Sequence, residues 1–266
     1  MLADAHFERG RGHAVCQDYA LWGTGARGAW AVVCDGCSSS PETDVGARLL
    51  AHAAAAALQR GRLPGSISIV REAAAVAERL GLSAFCLDAT LVAAAVHGDA
   101  VVGLIRGDGV VAGRRRSDGA IELTMRRCLD ETPDYPSVVL DPERRAAWRD
   151  RLGPRAWTER WSSSGDGAAP SRGPTIPERG HAWVGHFPRD RYDRVLVASD
   201  GLASLRDREG APVDPVWVAA RLLDAPSTTG CFVRRRLSRL GQAEGPFGDA
   251  RPDDDLAVAV LAWEDA

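Results

Sequence analysis

Three strand-like runs in this chain end or begin on aspartates. Ala29-Trp30-Ala31-Val32-Val33-Cys34 runs into Asp35-Gly36, and Arg194-Val195-Leu196-Val197-Ala198-Ser199 runs into Asp200-Gly201. Asp254-Asp255 leads into Leu256-Ala257-Val258-Ala259-Val260-Leu261. Short apolar runs bounded by turn residues read as buried strands, so these acids belong at the rim of a sheet, where a charge meets solvent or a metal. A fourth motif, Gln17-Asp18, precedes the first run. Adjacent strand ends would gather the carboxylates in one place, and like charges raise each other's pKa. A divalent cation with oxygen ligands removes that cost, so a metal site is expected.

Composition narrows the alternatives. With 266 residues the chain can build one large core or two modest domains. It is 45% hydrophobic and 26% charged, as soluble globular proteins are. A net charge of −3 argues against an obligate nucleic-acid binder. The chain contains no lysine and no asparagine. A P-loop, a protein-kinase phosphate clamp and a pyridoxal Schiff base all need lysine, so those classes are excluded. No stretch approaches a membrane span of roughly 18 apolar residues, and the N-terminus turns charged at Asp4, unlike a signal peptide. The six cysteines lack a disulfide-framework spacing, so reduced thiols and a cytoplasmic location are expected.

Along the chain, Val15–Trp22 and Gly28–Cys34 read as a hairpin turning at Gly23-Thr24-Gly25. Glu42–Arg60 and Ile67–Leu80 read as helices, closed by Gly61 and Gly81. Strands over Ala84–Val96, Ala100–Arg106, Val110–Arg115 and Ala120–Met125, separated by Gly-Asp turns, read as an antiparallel meander. A segment rich in Arg, Pro, Gly and Ser at about 141–180 reads as an insertion or flap, with Ser162–Gly167 as a loop and Trp148, Trp157 and Trp161 packing it down. Strands at Ala182–Phe187, Asp193–Ser199 and Leu256–Trp263 and helices at Asp214–Leu223 and Thr229–Leu240 complete the order. Sequential helix pairs with antiparallel strands predict an α+β fold. The expected form is a four-layer α-β-β-α sandwich of two mainly antiparallel sheets, in one domain spanning 1–266.

These residues resemble the metal-dependent protein phosphatases of type 2C, the PPM family. The resemblance rests on six motifs in the family's order: Cys16-Gln17-Asp18, Val33-Cys34-Asp35-Gly36-Cys37, Asp88-Ala89-Thr90, Ile105-Arg106-Gly107-Asp108-Gly109, Val197-Ala198-Ser199-Asp200-Gly201-Leu202 and Asp254-Asp255-Leu256-Ala257-Val258. It implies hydrolysis of phosphoserine and phosphothreonine in proteins, with two or more manganese or magnesium ions as cofactors and a role in signalling. By the same resemblance Asp35 bridges two metals, the Gly36 carbonyl ligates one, and Asp200 and Asp254 ligate the other, with Asp18 acting through water. Hard divalent cations take such oxygen ligands, and a water between two of them loses its proton readily and attacks phosphorus in line. The implied partner is a phosphorylated protein, with a cognate Ser/Thr kinase system. A monomer that binds neither nucleic acid nor membrane is expected.

The chain departs from that pattern in three places. His13 stands where family members carry a phosphate-gripping arginine; as imidazolium it can bind phosphate or protonate a leaving alkoxide, and Arg9 and Arg11 are close enough in sequence to supply the grip. Cys37 stands where many members place an acid histidine. Asp255 stands where asparagine is usual, which leaves the ligand open between Asp253, Asp254 and Asp255; the register of the following strand favours Asp254. Cys34 and Cys37 read as a core thiol and a loop thiol rather than a redox pair. His97, His181 and His186 show no metal-ligand spacing, and the runs Arg114–Arg116 and Arg234–Arg236 read as solvated faces. The competing function is a catalytically weak or inactive phosphatase-like module with a regulatory or scaffolding role. A haloacid-dehalogenase type of phosphatase needs Asp-x-Asp and a later lysine, which this chain lacks.

Overall fold

The most apolar runs become central strands because both of their faces are covered. The computed structural model describes residues 1–64, 67–128, 134–152, 156–163, 171–172, 176–178 and 182–263. The elements in chain order are β1 (Leu2–Glu8), β2 (Asp18–Gly25), β3 (Gly28–Asp35), α1 (Thr43–Gln59), α2 (Ile67–Arg79), β4 (Leu91–His97), β5 (Ala100–Arg106), β6 (Gly109–Arg115) and β7 (Ile121–Cys128). There follow α3 (Pro142–Leu152), β8 (Ala156–Ser162), β9 (Ser171–Arg172), β10 (Ile176–Glu178), β11 (Trp183–Pro188) and β12 (Tyr192–Ala198). The chain closes with β13 (Leu205–Arg206), α4 (Pro215–Leu223), α5 (Phe232–Leu237), β14 (Arg251–Pro252) and β15 (Leu256–Ala262).

Among the described residues, one sheet runs β1-β15-β12-β6-β7-β8-β10, with β9 beside β8, and a second runs β11-β5-β4-β3-β2. All the pairings are antiparallel. Between the sheets lie Ala31, Val33, Val92, Val111, Val197 and Ala259. The opposite face of β3 packs Val32 and Cys34 against Ala47, Leu50 and Ala54 of α1. On the far side, Leu196 and Val258 meet Val216 and Leu222 of α4 and Phe232 of α5. Helix, sheet, sheet and helix therefore stack in that order, and the fold is the expected α+β sandwich. Small side chains set the spacing of α1: a Cβ on Gly46 would stand 1.7 Å from the Cys86 carbonyl oxygen. At α4 the Asp214 carboxylate caps the helix, accepting from Val216 N at 2.7 Å and Trp217 N at 3.3 Å.

Several local expectations are corrected. The β2–β3 hairpin turns at Ala26-Arg27, because pairing continues to Gly25 opposite Gly28; Gly28 takes φ 121°, open to glycine without strain. The meander is split in two. β4 pairs with β5 and β6 with β7, but β5 and β6 belong to different sheets. The turn Gly107-Asp108-Gly109 carries the chain across the sandwich, with φ 86° at Gly107 and 136° at Gly109, so Asp108 lies where the two sheets meet. Ala84–Leu87 forms a short 3-10 helix ahead of β4, and α5 covers only part of Thr229–Leu240. Strand β8 extends the larger sheet beside β7 rather than lying over a face. Arg114 is no solvated residue: it pairs with Asp193 at 2.5 Å and Asp224 at 3.2 Å. Trp161 packs against the outer core; the side chains of Trp148 and Trp157, residues 164–167 of the expected loop, and His181 lie outside the described residues.

Candidate active site

Strand ends and one crossover turn bring the acids together. Asp35 ends β3, Asp108 sits in the β5–β6 turn, Asp200 follows β12, and Asp254 precedes β15. All four line one cleft of about 510 Å³, together with Gly36, Cys37, Thr90, Arg127, Cys128 and Tyr135. Asp18, at the start of β2, pairs in register with Asp35 and lies just behind it, 1% exposed.

The backbone around Asp35 is pinned from several sides. Thr90 N donates to the Asp35 carbonyl at 2.7 Å, Gly36 N to the Gln17 carbonyl at 3.1 Å, and Cys37 N to the Asp88 carbonyl at 2.8 Å. Gly36 has no room for a side chain, since a Cβ there would stand 2.7 Å from the Thr43 carbonyl oxygen. Gly201 is tighter still, its Cβ position lying 1.8 Å from the Asp255 carbonyl oxygen. Glycine after the aspartate thus lets the end of β12 close onto the start of β15. Ser199 joins the same strands: its Oγ donates to Asp18 Oδ2 at 2.6 Å and accepts from Ala257 N at 3.0 Å.

The acids raise one another's proton affinity. Burial, then the charges of Asp18 and Asp200, holds Asp35 well above the usual carboxylate range. Burial likewise raises Asp18, while its bonds to Ser199 and Asp35 pull it back. Asp108 is pushed up to about 8 by burial and Asp200, against the pull of Arg126 and Arg127. Asp254 is raised by burial and Asp200. Asp18 Oδ1 is buried with no hydrogen-bond donor on it among the described residues, and the neighbouring Asp35 bonds to Asp18 only when one of the pair holds a proton.

This donor set fits hard divalent cations. It is all oxygen, it is over-supplied with negative charge, and it contains a buried oxygen in want of a positive partner. Among the described residues no three of His, Cys, Asp and Glu are gathered into a ready-made ion cage. The carboxylates ring a cleft instead, as suits small divalent ions that keep much of their water and take only one or two carboxylates each.

The structure separates the three terminal aspartates. Asp254 lines the cleft. Asp253 pairs with Arg11 at 2.5 Å on the surface. Asp255 is buried and holds the N-terminal loop, accepting from Gly10 N at 2.8 Å and Gln17 N at 2.6 Å. His13 is engaged by the same pair of acids, Nδ1 at 3.0 Å from Asp255 and Nε2 at 3.4 Å from Asp254. The nearby Asp255 carboxylate raises its pKa despite burial, at ion-pair distance and without a well-formed hydrogen bond to Nδ1, and His13 is not among the described cleft-lining residues. Arg9 is likewise committed, donating to the His13 carbonyl. The three side chains from which this loop was expected to grip phosphate thus each have a protein partner: His13 meets Asp254 and Asp255, Arg9 the His13 carbonyl, and Arg11 Asp253.

Cys37 does line the cleft, its Sγ 3.1 Å from Ser39 Oγ. Burial raises its pKa, but hydrogen bonds from Ser39, Tyr135 and Ser40 outweigh this and lower it. All six cysteines are free thiols. Asp108 belongs to a motif that the sequence alone does not assign to the site, and Arg127, Cys128 and Tyr135 join the cleft unannounced by any motif. The Gly-Asp-Gly turn was the available signal for Asp108. Nothing in the local sequence marks the other three, whose place depends on how β7 and the following segment meet the crossover turn.

The family model described as Protein phosphatase 2C matches residues 8–239. Solved structures share the fold at low identity. The serine/threonine phosphatase Stp1 from Staphylococcus aureus superposes with a TM-score of 0.57 at 16% identity, over 100% of this chain and 96% of that one. The Mycobacterium tuberculosis serine/threonine phosphatase PstP/Ppp gives 0.51 at 20% identity, over 99% and 98%. The catalytic domain of the serine/threonine protein phosphatase PstP in complex with two manganese ions gives 0.52 at 20% identity, over 99% and 98%. No protein of curated function matches the sequence significantly.

Proposed function

This chain belongs to the protein phosphatase 2C family, and we propose that it is a metal-dependent protein serine/threonine phosphatase. The observation that carries the reading is the convergence of Asp35, Asp108, Asp200 and Asp254 on one cleft, with Asp18 buried behind Asp35. In this reading Asp35, the Gly36 carbonyl, Asp200 and Asp254 hold manganese or magnesium. Such ions supply an activated water and neutralise charge on phosphoryl oxygens. The manganese in the PstP structure favours the same assignment.

The protein's own groups then do the positioning. Ser199 fixes the Asp18 carboxylate, and Asp18 orients Asp35 from behind. His13, with Nδ1 at 3.0 Å from Asp255 and Nε2 at 3.4 Å from Asp254, aligns Asp254 when protonated rather than touching phosphate. Cys37, Cys128 and Tyr135 are the thiols and phenol of the cleft, the protic side chains there closest in kind to a leaving-group acid. A phosphorylated protein is the proposed substrate, and a cognate kinase and a cytoplasmic, monomeric state go with the proposal. No described helix is long and apolar enough to cross a membrane. One observation favours the second reading, a catalytically weak regulatory module: no imidazole is among the described cleft-lining residues.

The test is turnover of a phosphothreonine peptide and of p-nitrophenyl phosphate, with and without manganese, in wild type, Asp35→Ala and Asp200→Ala. Manganese-dependent turnover of the peptide, lost in both variants, supports the phosphatase. Turnover of the activated ester alone implicates the leaving-group step at Cys37. A folded, manganese-binding protein that turns over neither is the regulatory module.

A further inference from the structure

A cleft walled by carboxylates repels a phosphoryl dianion, and resident cations offset only part of that repulsion. Arginine is the side chain best suited to the remainder, because its planar fork meets two phosphoryl oxygens at once. The nearby arginines are mostly occupied. Arg9 donates to the His13 carbonyl, Arg11 pairs with Asp253, and Arg126, wholly buried, donates to the Gly107 carbonyl. Arg127 is different. It stands at the end of β7, lines the cleft, and is the single basic side chain among the described lining residues. Its guanidinium has no hydrogen-bond or ion-pair partner among the described residues, yet Asp108 feels its charge.

The geometry points to Arg127 as the substrate-binding residue that grips the phosphoryl group, the task the family resemblance assigned to the position of His13. The inference rests on the phosphatase reading for its substrate, but the anion site it describes is testable without turnover. The division of labour between the two arginines follows from the end of one strand. Arg126 braces the crossover turn that carries Asp108, and Arg127 offers the cleft which that turn helps to form a charge with no partner among the described residues.

The experiment is calorimetric titration of inorganic phosphate into the manganese-loaded protein, with manganese affinity and melting temperature measured alongside. Wild type is compared with Arg127→Ala, Arg127→Lys and Arg11→Ala. Loss of a charged hydrogen-bonded pair predicts phosphate binding weaker by about tenfold or more in Arg127→Ala. Arg127→Lys recovers part of that loss, Arg11→Ala stays within about threefold of wild type, and manganese affinity is unchanged in all of them. The proposal is overturned if wild type binds no phosphate, if Arg127→Ala binds it as well as wild type, or if its loss only tracks a loss of manganese. Arg127-dependent phosphate binding without peptide turnover supports the anion site and counts against the phosphatase reading. Peptide turnover with unchanged phosphate affinity in Arg127→Ala does the reverse.

Discussion

Replacing Asp18 with asparagine should stabilise the cation-free protein at neutral pH, although the position is conspicuously polar and deeply placed. Asp18 is 1% exposed, its Oδ2 accepts from Ser199, and its Oδ1 has no donor among the described residues. Burial and the charges of Asp200 and Asp255 hold its proton affinity above the ordinary 3.8. The folded state therefore keeps a proton that the unfolded chain releases. Stability is full below the unfolded value and falls as pH rises from there toward the raised folded value. Each retained proton costs about 1.4 kcal/mol per pH unit across that window. With the folded value raised to about 7, the loss from pH 5 to pH 7 is about 2 kcal/mol for one proton, a sizeable share of a typical stability of about 5–15 kcal/mol. Asparagine keeps the shape, still accepts from Ser199, and offers an N–H toward Asp35. Urea denaturation in excess chelator should show wild-type stability falling between pH 5 and pH 7 and a shallower fall in Asp18→Asn. Adding manganese should reverse the order at pH 7, because a cation rewards the charge that asparagine lacks. A wild-type profile that is flat or rising with pH, or an Asp18→Asn protein clearly less stable than wild type at pH 7 in chelator, would refute the reasoning.

Three further outcomes are expected. Gly201→Ala places a methyl group 1.8 Å from the Asp255 carbonyl oxygen, and should cost about 3 kcal/mol or prevent folding, read by thermal unfolding. Arg144→Ala removes the guanidinium that meets both oxygens of buried Asp88 at 3.0 Å. It should cost about 3 kcal/mol and speed amide exchange in Pro136–Leu140, where Ser137 shares the same carboxylate; unchanged exchange there would count against that anchor. Asp255→Ala deprives Gly10 N and Gln17 N of their acceptor and His13 of its ion-pair partner. A loss of about 2–4 kcal/mol is expected by urea denaturation, together with weaker manganese binding as His13 and Asp254 lose their alignment.

The elements most legible in the sequence were those whose residues answer to local rules. β3, β12 and β15 were visible as apolar runs because strands covered on both faces need no polar alternation. The ends of α1 and α2 were visible at Gly61 and Gly81, which adopt φ of 71° and 72°. Asp35, Asp200 and Asp254 were visible because a charge at the end of such a run can only sit at a sheet rim. The split of the meander was not legible, because Gly-Asp-Gly serves equally well as a hairpin turn or as a crossing between sheets. Local geometry is the same for both, and only the packing of β6 against β12 distinguishes them.

The chain by itself thus determined its layers, its core strands and which acids sit at strand ends, since burial and periodicity act residue by residue. Tertiary structure alone decided which neighbours those acids have. It brought Asp108 into the cleft through the split between the sheets, set Asp254 toward the cleft and Asp255 into a buried clamp, and committed His13 to those two carboxylates. It also left Arg127 facing the acids with no partner among the described residues. These are relations between residues far apart in sequence, such as the 2.8 Å bond from Gly10 to Asp255. Their energies depend on distance and burial, which no local pattern encodes.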